Sequence, residues 1–418
     1  MKRLAVSLSL VVLCMLMIFV VSPQVFASST SSATAHPSRP VCPGPAAAGT
    51  ARCHADVVTN SQGVPVTGTS PLAGSYGPVQ FHDGYNLPCS VGGSGAQAIC
   101  STPSSFGGQT IGIVDAYDDP TIASDLNTYD TQYGLPACTT SNGCFTKVNQ
   151  TGGTSYPKVN SGWALEISLD VETAHEICQT CKILLVEATT NSNSNLAAAV
   201  NEAAKLGATE ISNSYGGSES SGETSYDSSY NHSGVAVTAS SGDSGYGAQY
   251  PAASPYVVAV GGTTLHLTSS NTYSSESVWS SGGSGCSSYE TANSWQTAVA
   301  DWSQTGCGTK RGIADVSADA DPNTGAAVYD STRYQGQAGW FQVGGTSLSS
   351  PLIASVFALA GGTTATNAQQ VPYSKFTSSN SHDVTTGSNG SCGTIMCNAT
   401  VGYDGPTGLG TPNGTGGF

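Results

Sequence analysis

The sequence predicts an α/β domain: a mainly parallel central sheet with helices on both faces. Three observations predict it. Short β-branched runs recur from about residue 75 onward, stretches of helical spacing separate them, and Gly, Ser and Thr fill the joints. In chain order, the strands are "TIGIVDA" (110–116), "CKILLVEA" (181–188), "TEISNSY" (209–215), "GVAVTAS" (234–240) and "YVVAVGG" (256–262). These runs are nearly continuous in apolar residues, as expected of strands buried on both faces. Between them "GWALEISLDVETAHEIC" and "NSNLAAAVNEAAKLG" have helical spacing, and "SLSSPLIASVFALAGG" forms a late apolar helix. In such sheets chemistry collects at the carboxyl ends of strands, where Asp115, Tyr215 and Asp243 fall.

The flanks read differently. Residues 1–27 form a secretory signal, with Lys2 and Arg3, an apolar run from Leu4 to Val21 and a small residue at Ala27 for cleavage. Left uncleaved, the run is long enough to anchor in a membrane. Residues 28–74 are an irregular N-terminal segment rich in Ser, Ala, Thr, Pro and Gly. The domain itself occupies 75–418, ending in a glycine-rich tail from Gly402 that reads as loop. Cleavage of the signal leaves an extracellular protein with no membrane contact and, by default, a monomer.

Charged residues are only 9% of the chain and the formal charge is −15, so nucleic acid is excluded as a partner. Few bases also mean little mutual repulsion in acid. Cys14 lies in the signal. The other cysteines fall into neighbours that six local bridges would join: Cys42 and Cys53, Cys89 and Cys100, Cys138 and Cys144, Cys178 and Cys181, Cys286 and Cys307, Cys392 and Cys397. "CQTC" at 178–181 could instead be a redox motif or half a zinc site.

Three stretches could carry chemistry, and each has a plainer reading. In "GGTSLSSP" (344–351), Ser347 follows a glycine turn at a helix start, where free N–H groups stabilise an anion; Thr346 or Ser347 could equally just cap the helix. In "EISLD", Glu166 and Asp170 lie four apart and could share a proton, or be two solvated carboxylates. In "SSGDSG" (240–245), Asp243 could donate to an oxyanion if kept neutral, or be a turn aspartate. A histidine base has one candidate, His175. At about 100° per residue, Ala164, Ile167, Val171, Ala174 and Cys178 make an apolar stripe, with Glu166 and Asp170 on one margin and His175 beyond the other.

Together and in this order, the three stretches resemble the sedolisin family of serine-carboxyl peptidases, which have a subtilisin-like fold and act in acid; "YGPVQFHDGYNLP" is similar to the start of that family's catalytic domain. The resemblance implies a secreted serine-type endopeptidase with Ser347 as nucleophile, Glu166 as general base and then acid, Asp170 as its proton-sharing partner, and Asp243 as oxyanion donor beside the Ser347 N–H. Asp115 would be an acidic residue behind them, or simply a buried strand-end carboxyl. The substrate, a protein or peptide, would lie along Ser214, Tyr215 and Gly216, with Tyr215 where the family often has an indole. One structural Ca²⁺ is implied on Asp383, Val384, Thr400, Gly402 and Asp404, with Thr400 where glycine is usual; two unrelated tail aspartates are the alternative. The chain departs from the family in having a short segment where a large prodomain is usual, and in Gly344 where serine is usual, a change expected to be mild. A catalytically idle binding protein on the same scaffold and a neutral hydrolase using His175 stay open as alternatives.

Overall fold

The structure, a computed structural model, describes Met1 and residues 36–418. The stretch read as a secretory signal, apart from Met1, and residues 28–35 lie outside the described residues. Among the described residues no helix is long and apolar enough to cross a membrane.

The central sheet runs Tyr273–Val278, Val258–Leu267, Ala236–Ser240, Glu210–Asn213, Thr110–Ala116, Lys182–Ala188, Phe145–Asn149, with Val316–Asp319 also paired to Val258–Leu267. Every pairing is parallel except that of Tyr273–Val278. All five predicted strands are present. The strand expected at 209–215 ends at Asn213, and the chain turns at Ser214 into a separate strand, Tyr215–Ser218. Phe145–Asn149 escaped prediction because it is an edge strand, "FTKVN", with partly exposed positions that break the apolar run.

Helices Ser161–Ile177 and Thr346–Leu359 pack on each other and on the sheet, and Asn193–Lys205 packs on Thr110–Ala116 and Lys182–Ala188. The expected apolar stripe with a polar margin does not describe Ser161–Ile177, which is buried on every side from Gly162 to Ile177. Helix Ile122–Tyr133 and the hairpin Ala326–Tyr334/Gln337–Gly344 cover its outer face. The carboxyls of this helix are therefore core groups, which removes the solvated reading of Glu166 and Asp170.

From residue 36 the N-terminal segment carries three short strands. Ser38–Pro40 pairs with Asp56–Val58, which in turn pairs with Gln337–Gly344, while Arg52–Cys53 pairs with Tyr215–Ser218, all antiparallel. The tail from Gly402 is loop apart from Thr411–Pro412, and Phe418 is buried between Phe357 and Phe376, 5.1 Å from each. Five of the six expected disulfides are formed, Cys178–Cys181 among them. The sixth is not: Cys89 and Cys100 are buried thiols, and the Cys100 sulfur is turned onto the Cys89 carbonyl oxygen at 2.5 Å.

Candidate active site

The serine sits at a turn that admits no side chain. Strand Gln337–Gly344 delivers the chain to Gly345 at φ +99°, where a Cβ would lie 2.1 Å from the His54 carbonyl oxygen and 2.7 Å from Asp243 Oδ2. A Cβ at Gly344 would fall 2.4 Å from Ala320 O, so glycine there is required by the packing rather than a mild replacement. Gly345 is the N-cap of helix Thr346–Leu359 and no side chain caps it, which removes the capping reading of Thr346 and Ser347. Pro351, four residues after Ser347, has no N–H to give the Ser347 carbonyl. That oxygen instead accepts from Ser214 Oγ at 3.2 Å, and Ser347 Oγ donates to Ser214 O at 3.2 Å, stitching the helix to the turn before Tyr215–Ser218.

Behind Ser347 lie three carboxyls with no exposed surface: Glu166 and Asp170 from helix Ser161–Ile177 and Asp115 from the end of strand Thr110–Ala116. None of their oxygens makes a well-formed hydrogen bond, although the Ser347 and Ser214 hydroxyls lie near enough to Glu166 and Asp170 to favour their charged forms. Carboxyls this close and dry satisfy themselves only by sharing protons. Burial, then the charges of Asp170 and Asp115, hold Glu166 well above the usual carboxylate range, with the Ser347 hydroxyl pulling the other way. Burial and Asp115 raise Asp170, and burial pushes Asp115 up to about 8. Carboxyls in such contact titrate as one unit, with their ionisations spread apart.

Asp243 follows strand Ala236–Ser240. Its Oδ1 accepts from the Thr346 N–H and Thr346 Oγ, both at 2.8 Å, while Oδ2 is buried without a partner. The fork on Oδ1 leaves Oδ2 as the site for a proton, facing the same side of Gly345 as the His54 carbonyl. Burial and the charge of Asp56 raise Asp243 well above its usual value. Thr346, which carries no signal beyond its place beside the serine, also accepts from Gly242 N at 3.1 Å and so fixes the loop.

The groove beside these groups is filled by the chain itself. The Ser347 N–H donates to His54 O at 3.0 Å, and the His54 N–H donates to Ser214 O at 3.2 Å. Cys53 and Arg52 then pair with Tyr215 and Gly216. The His54 ring lies on Gly216, where a Cβ would be 2.6 Å from its Cε1, with Nδ1 2.8 Å from Ser240 Oγ and Nε2 3.1 Å from Gln249 Oε1. Burial and the Arg52 charge lower its pKa to about 3, so the ring is neutral. Sequence reasoning missed His54, Ser240 and Gln249, because no local pattern brings residue 54 to residue 347. Tyr215 turns away from the groove, donating to Asn213 Oδ1 at 2.7 Å and packing 6.3 Å from Trp163.

His175 is not part of this constellation. Its Nε2 lies 2.9 Å from Pro136 O and 3.3 Å from Asp130, beside the Cys138–Cys144 bridge. The tail residues do converge: Asp404, fully buried, accepts from the N–H groups of Thr400 and Thr407, and exposed Asp383 accepts from the Gly402 N–H at 3.0 Å. Val384 is buried beside Asp383. Burial, with a smaller contribution from the Asp383 charge, pushes Asp404 up to about 7.

A parallel α/β sheet with a serine at a helix N-terminus and carboxyls behind it defines a hydrolase scaffold of the subtilisin-like class. The family model described as the Subtilase family matches residues 153–387, more than half of the chain. Sedolisin of Pseudomonas sp. (strain 101) is 38% identical over 182 residues, 40% of this chain and 29% of that protein. Kumamolisin of Bacillus sp. (strain MN-32) is 29% identical over 376 residues, 81% of this chain and 62% of that protein. In each case the match spans less than two thirds of the curated relative. A solved structure of Pseudomonas sedolisin, described as a serine-carboxyl proteinase complexed with two molecules of pseudo-iodotyrostatin, superposes with a TM-score of 0.63 at 27% identity, covering 83% of this chain and 96% of that one. The chain belongs to the subtilase family, on its sedolisin branch of serine-carboxyl peptidases.

Proposed function

We propose that the chain is a secreted serine-type endopeptidase that works in acid, with Ser347 as nucleophile and Glu166 as the base that takes its proton. The observation that carries this reading is the run of fully buried, mutually interacting carboxyls Asp115, Asp170 and Glu166 leading up to the serine. With one negative charge shared among them, Glu166 can accept the Ser347 proton while Asp170 and Asp115 keep theirs. Attack forms an acyl-enzyme, and Glu166 returns the proton to the leaving amine and then activates water. The Ser347 N–H and the protonated Asp243 Oδ2 would hold the oxyanion, whose stabilisation is worth roughly 10²–10³ in rate per donor. Internal cleavage is supported by a groove that accepts chain on both sides of the bond, along Ser214, Tyr215 and Gly216 on one side and Gln337–Gly344 on the other.

A structural Ca²⁺ would be held by the hard carboxylate oxygens of Asp383 and Asp404, with the carbonyls of Val384, Thr400 and Gly402 completing the set; the support is that the same loop brings Thr400 and Gly402 onto these two carboxyls and leaves Asp404 buried near the Asp383 charge. Its role would be structural.

A peptide aldehyde tests the nucleophile. The protein at acidic pH should bind it as a covalent hemiacetal on Ser347, read by inhibition and by protection of Ser347 from acylating reagents. Failure to bind at any acidic pH would favour a catalytically idle binding protein instead.

A further inference from the structure

We propose that Asp119, Asp125 and Asp330, with the hydroxyls of Thr121 and Thr332, form a cation site separate from the tail pair, which takes a hard divalent ion of the size of Ca²⁺ and clamps the cover over the helix that carries Glu166 and Asp170. The site stands independently of the peptidase reading. Asp119 precedes helix Ile122–Tyr133, Asp125 lies in its first turn, and Asp330 lies in strand Ala326–Tyr334 of the facing hairpin. One oxygen from each lies within 4.8 Å of the others, and all three residues are buried. Oxygens that share one calcium ion, at about 2.3–2.6 Å from it, meet that limit.

Two polar groups beside the trio lack partners. Asp330 accepts the Thr332 N–H on Oδ1 at 2.7 Å, while its Oδ2 is fully buried and bare. Glu172, from the helix beneath, accepts the Tyr329 N–H on Oε2 at 2.9 Å and keeps Oε1 buried and bare, close enough to Asp125 and Asp330 for their charges to act on it. A buried charge without a counter-charge is costly, and among the described residues no cationic side chain pairs with the trio. The ammonium of Lys147 is engaged by Asp118, Glu187 and the Asp119 carbonyl instead.

Hydrogens are also too few. Thr121 Oγ lies 3.0 Å from Asp119 Oδ1, 2.7 Å from Asp125 Oδ2 and 2.9 Å from Thr332 Oγ, which is itself 3.0 Å from Asp119 Oδ1. Two hydroxyl hydrogens cannot serve four such contacts. Bound protons are the competing occupants, and a divalent ion would displace them. The ion would tie helix Ile122–Tyr133 to the hairpin, the two elements that cover Ser161–Ile177. Ser168, between Glu166 and Asp170, donates to Asp119 Oδ2 at 3.3 Å, so the clamp reaches that helix through one hydrogen bond.

The test is Ca²⁺ binding by equilibrium dialysis at about pH 6.5, with Tm in parallel, on the full secreted chain carrying Ser347→Ala against self-digestion and Asp383→Ala against the tail site. The expected result is one Ca²⁺ per chain that raises Tm, and that is lost, with the rise in Tm, when Asp330→Asn is added. Thr332→Val removes only a neutral ligand, so it should keep the fold and raise Kd roughly tenfold or more. No Ca²⁺ bound to the Asp383→Ala protein, or binding that Asp330→Asn and Thr332→Val both leave unchanged, overturns the proposal. Should Asp330→Asn fail to fold, Thr332→Val decides alone, and an unmoved Kd overturns it.

Discussion

At the residue scale the account depends on where protons reside. Glu166, Asp170 and Asp115 share one dry pocket, so their ionisations are spread apart, and a single charge in that pocket suits a base working in acid. In the proposed mechanism Asp243 has the opposite duty, since it donates only while protonated. Its pKa is raised by burial and by Asp56, so the donor is present in acid and is lost as pH rises through that raised value. Activity should therefore be bell-shaped, rising with the first ionisation of the pocket and falling when Asp243 ionises. Asp243→Ala should lower kcat roughly 10²–10³-fold across the range. In Asp243→Asn the amide oxygen can keep the Thr346 bonds while the NH₂ gives a donor that does not titrate. Its falling limb should move to higher pH, and a limb that stays put would assign that limb to the pocket carboxyls instead.

At the element scale one proline links the helix to the groove. Pro351 frees the Ser347 carbonyl for Ser214, so Pro351→Ala should restore a helical N–H, compete with Ser214 and lower kcat severalfold, with Tm within about 3 °C of the parent. An unchanged kcat would mean the Ser214 bond does not hold the serine. The "SLSSP" spacing was legible in the sequence, as were the strands carrying Asp115 and Asp243, because apolar runs and glycine joints are local signals. Burial of "EISLD" was not legible, because the cover over its helix comes from residues 122–133 and 326–344, far along the chain. His54 was hidden for the same reason: residue 54 meets residues 214, 240, 249 and 347 only after the sheet is assembled. The Cys89–Cys100 neighbours show the reverse limit, since closeness in sequence does not orient two sulfurs.

At the scale of the whole molecule, carboxyls are buried throughout. Glu176, Glu187 and Glu210 are pushed up to about 8 and Asp330 to about 9, burial being the largest cause in each. A folded-state pKa above the unfolded one adds stability that is complete below the unfolded value and lost as pH rises through the folded one. The fold should therefore be most stable below about pH 4 to 5 and weaken up to about pH 9, with Tm of the non-cleaving Ser347→Ala protein falling by more than about 5 °C across that window. A Tm that rises toward neutral pH would contradict it. Calcium should act on the same scale: a chelator is expected to lower Tm, and added Ca²⁺ to restore it, without a change in which bonds are cut. The most direct single measurement is kcat/KM on a peptide substrate from about pH 2.5 to 8 for the mature enzyme, beside Ser347→Ala, Glu166→Gln and His175→Ala. The account predicts a maximum in acid that the first two substitutions abolish and the third leaves in place. Activity that peaks near neutral pH and vanishes with His175→Ala, or that survives Ser347→Ala, would contradict it.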